Sequence, residues 1–222
     1  MKFSELLSTC TANGLIILNE EAEKLAAYAE LLRRWNARIN LISRKDEDRI
    51  FDSHILHSLT LRMPTVCDYD FTNKKVADLG SGGGLPGIPL KIVTPSMQIT
   101  LMDSIQKKIT ACGEMISELG LTGISVQWGR AEELARNSEY AHAYDAIIAR
   151  AVAPLEELAK WSKGLLKHGG ILLAFKGGVL EEEISSARKL KFVKNIEAKP
   201  LELIGYDGFS REGKKLIEVM FA

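Results

Sequence analysis

The densest chemical signal in the chain is the segment VADLGSGGGLPGIPL, residues 76–90. An apolar run ends in Gly80, Gly82, Gly83 and Gly84, and a helix is expected to begin near Pro86 or Ile88, where proline is tolerated. Glycines allow positive φ and a close approach of ligand to backbone, while the first turn of a helix offers unpartnered N–H groups. Gly82, Gly84 and Gly87 satisfy the G-x-G-x-x-G spacing of a dinucleotide site. Asp78, two residues before the first glycine, points elsewhere: a carboxylate at a strand end repels a pyrophosphate and suits a cationic ligand. The structural alternative is a glycine-rich turn that only packs a helix on a sheet. Asp103 ends ITLMD, 19 residues beyond Gly84, where an acid can accept both hydroxyls of a ribose, although strand-end aspartates also cap helices. Glu132, in WGRAEEL, could accept from an adenine amino group while the Ala131 N–H donates to the ring; an acid in a first helical turn is the plainer reading.

The pattern V-x-D-x-G-x-G-x-G resembles motif I of Rossmann-like methyltransferases, whose cofactor S-adenosylmethionine carries an ammonium and a sulfonium. The elements that must hold these residues alternate as such a domain requires. Strands are expected at 76–79, 99–102, 124–128, 146–149 and 171–175, with helical segments around Leu90 and at 108–119, 132–136 and 155–166. That alternation implies parallel strands joined by right-handed crossovers. The tail differs: a helix at 181–190 precedes two strands, 196–204 and 216–221, joined through GYDGFSREG, which suit an antiparallel edge. Residues 20–63 read as helical, with Leu25, Tyr28, Leu32, Trp35 and Ile39 on one face and Phe51, Ile55 and Leu59 at i+4 steps after Asp46. The division expected is a helical cap over residues 1–73 and a methyltransferase domain over 74–222.

Composition bounds the function. The 222 residues are 46% apolar and 26% charged, with 29 basic against 29 acidic side chains, which excludes an obligately disordered chain and a uniformly basic nucleic-acid binder. Any polyanion must be met by local patches. Cys10, Cys67 and Cys112 have no C-x-x-C spacing and read as reduced thiols. No apolar run is long enough to span a bilayer and the N-terminus is unlike a signal peptide, so a soluble, cytoplasmic protein without membrane contact is expected, as a monomer.

KVADLGSGGGLPGIPL, LMDSIQKK, GRAEEL, IIARAVAPL and LLAFKGG, with LLRRWNARINLISRKD and HILHSL in the N-terminal part, resemble the bacterial 16S ribosomal RNA guanine-N7 methyltransferases of the RsmG, or GidB, family. The resemblance covers about residues 25–180, and the LPGIPL and ARAVA segments are more specific than motif I. It implies a helical cap on a seven-stranded, mostly parallel Rossmann-like class I methyltransferase sheet with an antiparallel edge. It further implies S-adenosylmethionine as cofactor, and 16S ribosomal RNA or the small ribosomal subunit as partner. Cofactor contacts are implied at Gly80 and Leu85, at Asp103, Ser104 and Ile105, at Ala131 and Glu132, and at Arg150; Asp78 and Gly82 join them from the motif. Two departures stand out: Ser53-His54-Ile55-Leu56-His57-Ser58 where the family often has Arg-His-x-Leu-Asp-Ser, and Ala111-Cys112 where Phe-Leu is common, the latter expected to alter packing only.

The segment after the fourth strand, Ala149-Arg150-Ala151-Val152-Ala153-Pro154, lacks the Asn/Asp-Pro-Pro-aromatic loop of exocyclic amine methylation and the cysteine nucleophile of base C5 methylation. Transfer to guanine N7 needs neither, because N7 carries a lone pair and no proton. No catalytic residue is expected beyond those that position the reactants. Arg150 would be repelled by a sulfonium and is expected to reach a methionine carboxylate or an RNA phosphate, with a surface ion pair as the alternative. RNA contact is expected from Arg44, His54, Lys107, Lys108 and Lys176. Residues 33–49 carry six basic side chains, which a solvated helix face would also explain, and Trp35 reads as core. The basic run 188–194 suits a helix macrodipole. His54 and His57 lack a third ligand at matching spacing, so no metal is expected and His54 reads as a polar residue of the cap near the cleft. Two alternatives from other classes are an NAD-dependent oxidoreductase and a non-catalytic RNA-binding module.

Overall fold

The computed structural model describes all 222 residues. Short β-branched and aliphatic runs form β1 (Lys75–Leu79), β2 (Gln98–Asp103), β3 (Ile124–Trp128), β4 (Tyr144–Arg150) and β5 (Leu166–Gly177), all parallel in the order β3-β2-β1-β4-β5. Val76 to Leu79 of β1 are buried without alternation, as a strand covered on both faces must be. β7 (Lys214–Phe221) runs antiparallel between β5 and the edge strand β6 (Val193–Pro200), completing seven strands. The chain leaves β1 toward β2 on one side and enters β4 on the other, so β1 and β4 flank the switch point where ligands bind outside the carboxyl ends of strands.

One face of the sheet packs on α1 (Phe3–Ala12), α2 (Asn19–Asn36), α4 (Gly87–Ile92) and α5 (Gln106–Glu118), whose apolar residues join those of the sheet in a single cluster. α3 (His57–Leu59) belongs to the same layer. The opposite face carries α6 (Ala131–Leu134), α7 (Leu155–Leu165) and α8 (Glu181–Arg188). α9 (Gly208–Arg211) lies in the connection before β7. No helix is long and apolar enough to cross a membrane.

Five elements depart from the periodicity reading. α1 and α9 have no counterpart in it. The second half of 20–63 is a 3₁₀ helix over Arg44–Arg49, a π-helical stretch over Ile50–Leu56, α3, and a 3₁₀ turn over Thr60–Arg62. Ile55 and Leu59 are buried, whereas Phe51 is only half-buried against Phe3 of α1, with its ring 5.6 Å from the Arg33 guanidinium carbon. β5 begins five residues early, directly from α7, and β6 ends at Pro200 instead of reaching Ile204.

The cap grips the glycine loop. Tyr28, fully buried on α2, donates its hydroxyl to the Gly83 carbonyl at 2.8 Å. A Cβ on Gly83 would lie 2.7 Å from Leu32 Cδ1 and 3.2 Å from Leu41 Cβ, so only glycine lets the cap approach this closely. Asn36 ends α2 by accepting the N–H groups of Leu41 and Ile42 on Oδ1, at 2.8 and 2.9 Å, which fixes the return of the chain over the loop. Replacing Tyr28 by Phe leaves the Gly83 carbonyl without its partner. The expected loss is about 1–2 kcal/mol in chemical denaturation, and an unchanged midpoint would show that the contact carries no weight.

Candidate active site

The carboxyl ends of β1, β2 and β3 surround a cavity of about 210 Å³ lined by Gly80, Asp103, Ser104, Ala131 and Glu132, with Arg130, Val152 and Trp161. Each strand delivers its residue by ending there: Gly80 follows β1, Asp103 closes β2, and Ala131 opens α6 after β3. Gly80 has φ +66°, and a Cβ on it would meet Val152 Cγ2 at 2.6 Å, so the position admits no side chain. Asp103 is buried; its Oδ2 accepts the Gly82 N–H at 3.0 Å and its Oδ1 accepts the Ile105 N–H at 2.8 Å. The carboxylate therefore ties β2 to the glycine loop and opens α5, and each oxygen keeps acceptor capacity toward the cavity. Ser104 accepts the Trp128 indole N–H on its carbonyl at 3.1 Å. Glu132, in the first turn of α6, lies 3.9 Å from Arg130 Nη1 with its side chain 40% exposed. Cys112 does more than pack, since its thiol donates to the Gly82 carbonyl at 3.3 Å.

Gly80, Asp103, Ser104, Ala131 and Glu132 thus line one cavity. Gly82 flanks the cavity through its N–H, and Ile105 begins α5 with an exposed side chain outside it. Leu85 is buried in the core and does not line the cavity. Arg130 stood beside Ala131 in the motif and was legible there; Val152 and Trp161 arrive from β4 and α7 with no local signal.

Asp78 is fully buried, and its Oδ2 accepts the Gly87 N–H at 2.8 Å, which holds the loop to the start of α4, while its Oδ1 has no hydrogen-bond partner. Burial pushes its carboxyl up to about 8 from 3.8, against the pull of the Gly87 N–H and the Arg150 guanidinium. An acid whose folded pKa is raised contributes stability that is complete below 3.8 and is lost as pH rises through about 8. Asp78→Asn keeps an acceptor for Gly87 and removes the titration. Its stability relative to the native chain should therefore climb between about pH 5 and about pH 8 in urea unfolding, and a pH-independent difference would refute the assignment.

Arg150 turns away from the first cavity into a second, of about 350 Å³, lined by Asp46, Ser53, His54, His57 and Lys176 among others. Its Nη1 donates to the Ser53 carbonyl at 3.1 Å and its Nη2 to His54 Nδ1 at 2.8 Å, so a surface ion pair does not describe its surroundings. Burial, with the Arg150, Lys214 and Arg49 cations, pushes His54 down to about 3. His57, packed on Phe175 and Phe209 with ring centroids 4.3 and 5.0 Å away, is held well below the usual imidazole range by burial first and Arg150 next. Ala151, at φ +55°, and Val152 divide the two cavities, one lining each. No three His, Cys, Asp or Glu side chains converge as a metal would require.

The basic residues separate into two groups. Arg44 and Lys107 are exposed and Lys108 half-buried, none with an acidic partner. Lys176 is corrected: its ammonium donates to the Ala153 carbonyl at 2.7 Å and pairs with Glu183 at 2.8 Å, which leaves it no free charge for phosphate. His54 is neutral and buried, so it offers no cation to RNA either. Arg33, Arg34 and Arg49 pair with Glu30, Glu118 and Glu212, and Arg38 lies over the Trp35 ring at 5.4 Å.

The strand order, the helices on both faces and the ligand rim define a Rossmann-like class I methyltransferase domain. Solved structures share it at low identity. The fibrillarin pre-rRNA processing protein of Methanococcus jannaschii aligns with a TM-score of 0.56 and 12% identity, covering 73% of each chain. Fibrillarin of Aeropyrum pernix, solved with S-adenosylmethionine bound, gives 0.52 and 13%, covering 74% of this chain and 73% of that one. The [4+2]-cyclase SpnF gives 0.54 and 16%, covering 75% and 80%, so the fold alone does not decide the reaction. Sequence comparison does. The family model described as rRNA small subunit methyltransferase G matches residues 21–206. Relatives bearing that name are 44% identical in Chlorobium luteolum, over 82% of this chain and 73% of the relative, and 36% identical in Desulfitobacterium hafniense, over 97% and 88%. The chain belongs to the GidB family of small-subunit ribosomal RNA methyltransferases. It is an S-adenosylmethionine-dependent rRNA methyltransferase, which sets aside the oxidoreductase and the non-catalytic module.

Proposed function

We propose that the chain transfers a methyl group to N7 of one guanine in 16S ribosomal RNA, acting by positioning alone. The observation that carries this reading is that neither cavity presents a cysteine nucleophile or a histidine poised as a base. His54 and His57 are held too far below neutrality to act as bases, and all three cysteines are buried with their thiols pushed up by desolvation. N7 asks for neither service. When bound, S-adenosylmethionine supplies an electrophilic methyl on a sulfonium, leaving the protein to align and partly dehydrate the reactants.

The first cavity suits that cofactor. The free lone pairs of Asp103 match two ribose hydroxyls, Glu132 and the Ala131 N–H match an adenine edge, and the bare backbone at Gly80 leaves room beside the loop. Gly82 and Ser104 border the cavity, Leu85 and Ile105 lie outside it, and Asp78 acts through the Gly87 N–H. Reduced, buried thiols and a ribosomal substrate favour a cytoplasmic enzyme, and we assign it as a monomer. Incubation of small-subunit RNA with labelled cofactor, followed by nucleoside mapping, should give a single N7-methylguanine, with turnover changing less than about threefold between about pH 6.5 and about pH 9. A methyl on an exocyclic amine or a pyrimidine carbon would refute the reading.

Arg44 opens the 3₁₀ helix that carries Asp46 and Lys107 lies in the first turn of α5 after Asp103, and we assign both to RNA phosphates. Reversing both to Glu should weaken RNA binding and make the dependence of log affinity on log salt shallower by about 2. An unchanged slope would exclude these residues from the interface.

A further inference from the structure

The second cavity contains a pairing that methyl transfer does not require. A guanidinium can only donate hydrogen bonds, so His54 Nδ1, 2.8 Å from Arg150 Nη2, must be the acceptor. Because the ring is neutral, its proton sits on Nε2. That Nε2–H is buried and has no hydrogen-bond partner; the nearest carboxylate, Asp46 Oδ2, lies 3.8 Å away, beyond hydrogen-bond reach. The Asp46 carboxylate, a third exposed, has no other side-chain partner. Arg150 in turn cannot rotate freely, since Ser53 holds its other nitrogen.

The wall therefore presents a fixed donor and an acceptor side by side, separated by a gap neither closes. Guanine carries the complement on neighbouring ring atoms, an acceptor at O6 and a donor at N1–H. Adenine carries the reverse, an amino donor at N6 and an acceptor at N1, which would set donor against donor and acceptor against acceptor. A buried donor left unpaired by the wrong base is the kind of mismatch by which polar sites discriminate strongly.

We propose that this cavity reads the Watson–Crick edge of the target guanine, with the His54 Nε2–H on O6, the Asp46 carboxylate on N1–H, and Arg150 as the positioning residue that locks the His54 tautomer. The inference rests on the guanine-N7 reading above. It is compatible with the chemistry because N7 lies on the flank of the ring next to O6 and stays free when O6 and N1 are held. Ala151 and Val152, consecutive in the chain, bring this cavity beside the first.

The test measures binding of GMP, IMP and AMP to the full chain with S-adenosylhomocysteine present, by calorimetry or ligand-observed NMR. The native protein should prefer GMP over AMP by about tenfold or more, and IMP, which keeps O6 and N1–H, should follow GMP. Asp46→Ala, at a partly exposed position without structural partners, should bring the ratio toward one; His54→Phe should do the same, whereas His54→Gln, which can still donate, should retain much of it. Nitrogen-15 spectra of the His54 ring should show the Nε2–H tautomer in the native chain and a mixture in Arg150→Met. A native protein that binds neither nucleotide or does not distinguish them, or an Asp46→Ala variant that keeps the full ratio, overturns the proposal. Methylation mapped to N7 alongside such a result would overturn base reading alone, and a methyl elsewhere on guanine with the preference intact would overturn only the N7 assignment.

Discussion

The grip of the helical cap on the glycine loop is the contact on which the two cavities depend. Tyr28 and Leu32 come from α2, Leu41 from the chain that follows it, and all three meet at Gly83. From beneath, Asp78 takes the Gly87 N–H; from the side, Asp103 takes the Gly82 N–H and Cys112 donates to the Gly82 carbonyl. A loop of four glycines has little preference for one conformation, and its order is supplied by these neighbours. The segment therefore acquires a shape only within the assembled sheet and cap, and the same cap carries His54 and Asp46 to the rim.

Formal neutrality conceals a divided electrostatic design. Acidic groups surround the glycine loop: Asp78 is removed from water and raised in pKa, and Asp103 is consumed on backbone N–H groups at one lone pair per oxygen. The cations nearest the centre are occupied as well, Arg150 by Ser53 and His54 and Lys176 by Ala153 and Glu183. Charge available to a polyanion stands further out, at Arg44 and Lys107.

Much of the fold was legible because its signals are local. Parallel strands buried on both faces announce themselves as continuous apolar runs, and five of seven strands fall within a few residues of where 76–79 and its successors place them. The π-helical stretch was not legible: Phe51, Ile55 and Leu59 keep an α-helical spacing, and only tertiary packing widens the turn so that His54 and His57 both face inward. β6 was read too far toward the C-terminus because Leu201, Leu203 and Ile204 are apolar after Pro200, although Leu201 serves the core and Ile204 is exposed. Motif logic found Gly80, Asp103, Ser104, Ala131 and Glu132, since one strand end positions each of them.

By itself the sequence determined the class of domain and the family, because each is written in contiguous segments whose spacing follows the strand–turn–helix geometry. The tertiary structure alone decided the direction in which charged side chains point. Asp78 and Arg150 sit at strand ends in the sequence, yet one turns under the loop and the other toward the cap, because the hydrogen-bond partners that satisfy them when buried, Gly87 for one and Ser53 with His54 for the other, come from elements 9 and about 97 residues away. No local pattern records where a buried charge will find its partner.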